Sequence, residues 1–252
     1  PQESSRAAAP TPETLFREAS DAFQEGVRAE SRAPGAGAAL FLRAADLYER
    51  CINDHALHSA PLHANRASAL LLAGDVGRAI AAFRRAERLD PTYPPVRAGL
   101  ATARARVGAP PVPTIQQESR RVLLAWRGHV PRAWLMGMMI IGWCVLWATL
   151  AGRILGVRID ARWLVVGAAT SMIGAAPLVL EATLETTPQA VVISQGVIGL
   201  DGPGLGVYQP TLDAPLPAGV ELRIIERRDG WVHARLSDGR QTWLPGEAIE
   251  PI

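Results

Sequence analysis

The stretch AWLMGMMIIGWCVLWATLAG at residues 133–152 carries no charged side chain, and a second such stretch, WLVVGAATSMIGAAPLVL, follows at residues 163–180. A helix rises about 1.5 Å per residue, so about 20 apolar residues cross the roughly 30 Å hydrocarbon core of a bilayer. Two uncharged runs of this length in tandem are rare in soluble cores. The pattern predicts a transmembrane hairpin at 133–152 and 163–180, joined by a loop at 153–162, rather than a buried hairpin of a soluble protein.

The composition limits the function classes. The 252 residues leave room for about two further domains. The net charge of +2, without a long basic block, argues against nucleic-acid binding. Cys144 lies inside the first apolar run and Cys51 belongs to a polar region, so the two cysteines are not expected to form a disulfide.

The sequence pattern from residue 11 to residue 107 predicts a series of helices. Thr11-Pro12-Glu13 is a typical helix start, with a hydroxyl cap and proline in the first turn. The glycines and proline at 33–37 predict the end of that helix. Further helices are expected at about 38–53, 61–73, 76–89 and 94–108.

One helix pair resembles a tetratricopeptide repeat, in which small residues let two helices approach closely and an aromatic side chain fills the groove. The matching residues are Ala67, Leu70, Gly74, Asp75, Ala79, Phe83, Ala86 and Pro91. The preceding pair is a degenerate copy, and the helix after Pro95 would close the array. The resemblance implies that Asn65 and Ser68 face the concave side, where such arrays hold peptides.

A β-rich module is expected at 189–252, after a linker at 181–188. Strands are predicted at 191–193, 220–226, 231–236 and 241–244, with a tight turn at Asp238-Gly239 and a long loop at 199–217. The run resembles a bacterial SH3-like domain at Pro217-Ala218-Gly219, Gly230-Trp231, Asp238-Gly239-Arg240, Trp243 and Pro245. A small all-β barrel is therefore expected.

The fold class is thus multidomain: an all-α tetratricopeptide-repeat array, a transmembrane helical hairpin and an all-β SH3-like barrel. Residues 1–10 are expected to be a disordered N-terminus, and 108–132 a proline-containing linker and juxtamembrane segment. This order of modules is similar to the BatE type of the Bacteroides aerotolerance (Bat) operon. The resemblance implies an envelope protein with von Willebrand A-type Bat partners, linked to stress tolerance and without catalytic chemistry of its own.

Two motifs could carry chemistry, and each has a simpler interpretation. Cys51 and His55 are four residues apart on a helix and could converge on zinc or form a thiol–imidazole pair, with His58 and His63 nearby. The small-residue position that Cys51 occupies in the repeat favours packing instead. The glycine-rich segment 199–206 lacks the Lys-Ser/Thr and the helix of a phosphate loop, which favours a barrel loop.

The sequence therefore predicts no catalytic residue, metal or cofactor, and two candidate binding surfaces. Asn65 and Ser68 would contact protein partners through the helical repeats. Trp231, Trp243 and Pro245 would form an aromatic groove, with aromatic core packing as the alternative. The leading function is a membrane-anchored scaffold of the bacterial envelope, and the competing one is binding of peptidoglycan peptides through the barrel.

The flanking charges leave the topology open. Arg120, Arg121, Arg127 and Arg132 precede the first run, against Arg153, Arg158 and Arg162 in the loop. Cationic flanks usually stay in the cytoplasm. The chain starts with Pro-Gln-Glu, as a product of signal-peptide removal would. We expect an inner-membrane protein with two spans, both large modules in the periplasm and the loop in the cytoplasm.

Overall fold

A computed structural model describes residues 10–107, 132–157, 159–185 and 188–252. These residues divide into two compact units, one formed by 10–107 with 188–252 and the other by 132–157 with 159–185. Nearly all of the predicted N-terminal segment 1–10 and of the linker 108–132 lies outside the described residues, as do Arg158 and residues 186–187 of the second linker.

The first unit begins with an array of packed helices. They are α1 (Pro12–Arg32), α2 (Ala38–His55), α3 (Ala60–Leu72), α4 (Val76–Leu89) and α5 (Pro94–Ala105). Each lies within about three residues of its predicted position. The side chains of Thr11, Ser59 and Asp75 accept hydrogen bonds from backbone N–H groups of the first turns of α1, α3 and α4, which fixes these helix starts.

Small residues and the Phe83 ring pack with larger aliphatic side chains, such as Ile80 and Leu100, in the core between α3, α4 and α5. Ala67, Ala79 and Ala86 are completely buried, and Phe83 is 2% exposed. A Cβ atom on Gly99 would lie 2.2 Å from the Phe83 ring, so only glycine lets α5 approach this ring. The predicted packing stripe of α4 is therefore confirmed as a buried stripe.

The same unit contains a five-stranded antiparallel sheet in the order β4-β3-β2-β1-β5. Its strands are β1 (Gln189–Val192), β2 (Glu221–Arg228), β3 (Trp231–Leu236), β4 (Gln241–Pro245) and β5 (Ile249–Pro251). The first strand starts two residues before its predicted position. No strand is predicted at β5, because three residues after a short 3-10 turn are too few to show an alternating pattern.

The second unit is a pair of apolar helices, α6 (Arg132–Ile154) and α7 (Arg162–Glu185). Residues Ala133–Ile154 are long and apolar enough to cross a membrane, with a mean hydropathy of 1.8 over the most apolar window. Among the described residues, the apolar stretch of α7 covers Arg162–Ala176 and is shorter than that of α6. The helix itself runs five residues beyond the predicted end at Leu180, because hydropathy marks an apolar run and not a helix terminus.

Glycines line the contact between these two helices. A Cβ atom on Gly142 would lie 2.4 Å from the backbone nitrogen of Ser171, and one on Gly167 would lie 2.8 Å from that of Leu146. Gly174 is equally close to Leu135. Contacts of this kind, in which glycine lets two backbones meet, are typical of helix pairs in membranes.

Candidate functional site

The sheet is attached to the helical array through one face of β1. Val191 is completely buried and belongs to the hydrophobic core of the helices, whereas Ala190 and Val192 point into the core of the β module. A Cβ atom on Gly77 of α4 would lie 2.7 Å from the carbonyl oxygen of Val192. The helix therefore packs directly on the strand backbone, and the two parts share a core.

Arginines of α4 and α5 surround this apolar contact. Arg84 donates to the side-chain oxygen of Gln189 at 2.7 Å, and its Nε lies 3.2 Å from Glu221. Arg104 binds the other oxygen of Glu221 at 2.6 Å. Arg85 pairs with Glu250 at 2.5 Å. The position of the β module on the helices is thus fixed by charge as well as by packing.

Three of the predicted binding residues lie together on the β module. Trp231 and Pro245 are direct cross-strand partners in β3 and β4, and Trp243 is the partner of His233. Direct partners in an antiparallel pair share a face, so these four side chains form one surface, the aromatic face. All four are half-buried and none belongs to a core cluster. Neither tryptophan is a member of the two core clusters of the described residues.

The aromatic face is supported by ring stacking and by a neighbouring segment bonded to β4. The rings of His233 and Trp243 stack with centroids 4.8 Å apart and planes at 8°. The backbone of Trp243 exchanges two hydrogen bonds with Leu200, at 2.8 and 3.0 Å, so the outer edge of β4 is occupied there. Trp231 also borders a depression of about 320 Å³ that reaches Arg228, Ile249 and Pro251.

The other two predicted residues, Asn65 and Ser68, are half-buried on α3. The Ser68 hydroxyl donates to the carbonyl oxygen of Ala64 at 2.9 Å. The structure does not bring either residue to the aromatic face. On another side of α3, Arg66 is 5% exposed and pairs with Glu49 at 2.9 Å. Arg66 lines a depression of about 330 Å³ that also reaches Glu250.

The cysteine and histidine side chains of the helical array make separate contacts and do not converge on one site. The Cys51 thiol contacts the carbonyl oxygen of Pro12, and burial raises its pKa, which disfavours the thiolate. His55 Nε2 lies 3.1 Å from the carbonyl oxygen of Pro10 instead. Among the described residues there is no group of three or more His, Cys, Asp or Glu placed to hold a metal ion.

The glycine-rich segment 199–206 packs around an aromatic ring. A Cβ atom on Gly202 would lie 2.3 Å from the Tyr208 ring, which explains the need for glycine there. The Asp201 carboxylate accepts a hydrogen bond from the backbone N–H of Gln209 at 3.0 Å. These contacts make the segment a folded loop of the β module.

His233 and the neighbouring arginines of the sheet were not predicted as site residues. The signal for them is the alternation along β3, where Trp231, His233 and Arg235 share one face while Val232, Ala234 and Leu236 are buried. No protein-family model matches the chain, and a search of curated proteins finds no significant match.

Proposed function

We propose that this protein is a non-enzymatic scaffold of the bacterial envelope, anchored in the membrane by α6 and α7 and holding partner proteins on its helical and β modules. The observation that carries the proposal is the aromatic face, which is partly exposed on a module whose core is continuous with that of the helices. Aromatic side chains are enriched in protein interfaces. A surface fixed to a rigid body suits a scaffold because binding then orders few additional groups.

The proposal includes tetratricopeptide-repeat and SH3-like folds for the two modules. The buried alanines of α3 and α4 and the contact of Phe83 with Gly99 support the first assignment. The antiparallel strand order and the tight turn at Asp238-Gly239 support the second. By the resemblance to BatE-type proteins, the partners are von Willebrand A-type Bat proteins of the same membrane.

Membrane anchoring is supported by the apolar surface of the helix pair. Trp134, Ile141 and Met172 are 71%, 62% and 71% exposed. Apolar surface of this extent is costly in water but favourable in lipid. Residues 10–107 and 188–252 form one compact unit, so the chain between them must leave that unit and return to it. A hairpin that crosses the bilayer twice meets this requirement, with both modules in the periplasm.

Cysteine labelling tests this topology. Leu205 is 80% exposed and Leu155, between the helices, is 81% exposed. In a background with Cys144→Ser, a membrane-impermeant maleimide should label Leu205→Cys in outer-permeabilised cells and Leu155→Cys only after inner-membrane lysis. The reverse pattern would place the modules in the cytoplasm, and labelling of both before lysis would rule out a double crossing.

Photo-crosslinking in native membranes tests the scaffold function. A crosslinking amino acid at Gln241, next to the aromatic face, should capture a defined membrane or envelope protein. The same amino acid at Arg43, exposed on α2, is the matched control. Capture at neither position, or equal capture at both, would contradict a specific partner on this face.

Binding of peptidoglycan peptides is the second candidate function, because the aromatic face also suits a wall ligand. Under this hypothesis, purified murein sacculi should retain the protein, and Trp231→Ala should abolish retention. Absence of retention by the unchanged protein rules the hypothesis out.

A further inference from the structure

Two arginines lie side by side next to the aromatic face. Arg223 of β2 and Arg235 of β3 are direct cross-strand partners. Direct partners have Cβ atoms about 4.5–5.5 Å apart, and like charges in this position destabilise a sheet. Within the described ranges, neither guanidinium has an ion-pair partner. We call these two residues the arginine pair.

The nearby acidic side chains do not neutralise the arginine pair. Glu221 is bound by Arg84 and Arg104 of the helices. Asp238, in the turn after β3, is bound by Arg240 at 2.8 Å. Glu226 lies opposite His233, one row further along the sheet. This end of the aromatic face is therefore positive and complementary to an anionic ligand.

The spacing of the cross-strand pairs along β3 indicates the form of that ligand, an extended peptide. On β3, Arg235, His233 and Trp231 follow one another at every second residue, which is about 6.8 Å along a strand. An extended peptide repeats its side chains on one side with the same period. Such a peptide, lying along β3, would place one side chain over the arginine pair and the next two over the His233–Trp243 and Trp231–Pro245 rows.

The binding mode follows from the same contacts. Because the backbone of Trp243 is already bonded to Leu200, a peptide cannot add to the sheet as a strand at that point. It must bind through its side chains, on the open face. Recognition then depends on one carboxylate at the arginine pair and on apolar contacts with the aromatic rings.

We propose that the aromatic face and the arginine pair bind an extended acidic segment of a partner protein, with the pattern acidic–x–apolar–x–apolar. The proposal rests on the scaffold function and names the surface and the chemistry of its partner. The arginine pair determines specificity for the carboxylate, and the aromatic rows supply the apolar contact area.

Two peptides that differ only in charge test this proposal. The blocked peptide ETLTLTE has the pattern in both reading directions, and QTLTLTQ is its uncharged isostere. The full chain in lipid nanodiscs should bind immobilised ETLTLTE about fivefold more tightly than QTLTLTQ, as expected for an exposed charge pair of roughly 1 kcal/mol. Added salt should reduce this preference.

Charge variants identify the residues responsible. Arg235→Gln or Arg223→Gln should remove the preference for ETLTLTE over QTLTLTQ. Arg43→Gln makes the same change of charge on the exposed face of α2 and should keep the preference. Loss of the preference in all three variants would indicate a general effect of net charge and overturn the proposal.

Two further outcomes would also overturn it. One is equal binding of both peptides by the unchanged protein. The other is binding of neither peptide together with retention on murein sacculi, which would identify the wall polymer as the occupant. The scaffold function fails separately, by the absence of a crosslinked partner at Gln241. A crosslinked partner that lacks an acidic segment would leave the scaffold function standing and reject this inference.

Discussion

His63 shows how one buried side chain sets a pH dependence. It is 4% exposed on α3, and its Nδ1 has no hydrogen-bond partner among the described residues. Burial, with the positive charges of Arg85 and Arg66 and the nearby His58, lowers the pKa of His63 from 6.5 to about 4. The folded protein therefore holds this imidazole neutral where an unfolded chain would protonate it.

The helical array should lose stability as the pH falls from about 6.5 towards 4. In this window the unfolded state binds a proton that the folded state does not, so protonation favours unfolding. We expect His63 to account for a loss of about 2 kcal/mol in the free energy of unfolding between about pH 7.5 and pH 5. Urea titrations of the full chain in mild detergent, followed by circular dichroism, measure this loss.

His63→Gln should make the free energy of unfolding clearly less dependent on pH over the same range. His58→Gln is the matched control, because that ring is exposed and stacks on His63 with centroids 5.9 Å apart. An equal reduction by both substitutions, or none by His63→Gln, would show that another group carries the pH dependence.

Sequence motifs identified only part of the candidate surface. Trp231, Trp243 and Pro245 were found because each matches a motif position, and the structure brings them to one face. The arginine pair was missed because its significance lies in cross-strand register, which depends on a bulge between Ile224 and Glu226. Motif positions are local, whereas register is a property of the paired strands.

At the scale of elements, the helices were the most predictable part. Their caps and apolar stripes are local signals, so Thr11 marks a helix start that the structure reproduces. The contact of Gly142 and Gly167 across α6 and α7 was not predicted, because it depends on how the two helices face each other. Strand β5 was missed because its pairing with β1 defines it more than its composition does.

Replacing a glycine of the helix contact should separate α6 and α7. Gly167→Leu would place a side chain where a Cβ atom already lies 2.8 Å from the Leu146 backbone, so the helices must move apart. Gly137→Leu is the control, because nothing lies within 4 Å of its added Cβ atom. In sodium dodecyl sulfate titrations followed by tryptophan fluorescence, Gly167→Leu should unfold at lower detergent concentration. Equal curves for both variants would contradict the glycine contact.

The whole first unit depends on contacts that are distant in sequence. Val191 completes the core of the helices, and Arg84, Arg85 and Arg104 bind acidic or amide groups of the β module. The sequence predicted the helical and β modules one by one but not their shared core. The local sequence does not mark Val191 as part of a helical core, because the residues around it have the pattern of an ordinary β-strand.

Gly77→Val should uncouple the β module from the helices. A Cβ atom at this position would lie 2.7 Å from the Val192 carbonyl oxygen, so the strand must move away. The unchanged protein should unfold in one transition, and Gly77→Val in two, as followed by hydrogen exchange of β1 and α4. Ala101→Val, on the exposed side of α5, introduces the same side chain without this contact. One shared transition in both variants would show that the interface is not required for cooperativity.

The shared core also imposes an order on biosynthesis. Arg84 and Gln189 are 105 residues apart, and Arg85 and Pro251 are 166 apart. At translation rates of about 5–20 residues per second, the helices wait about 5–20 s for the strand that fills their groove. During that interval the ribosome is synthesising the segment that contains α6 and α7. The nascent helices must therefore persist for that time without Val191 in their core and without the β-module partners of Arg84 and Arg85.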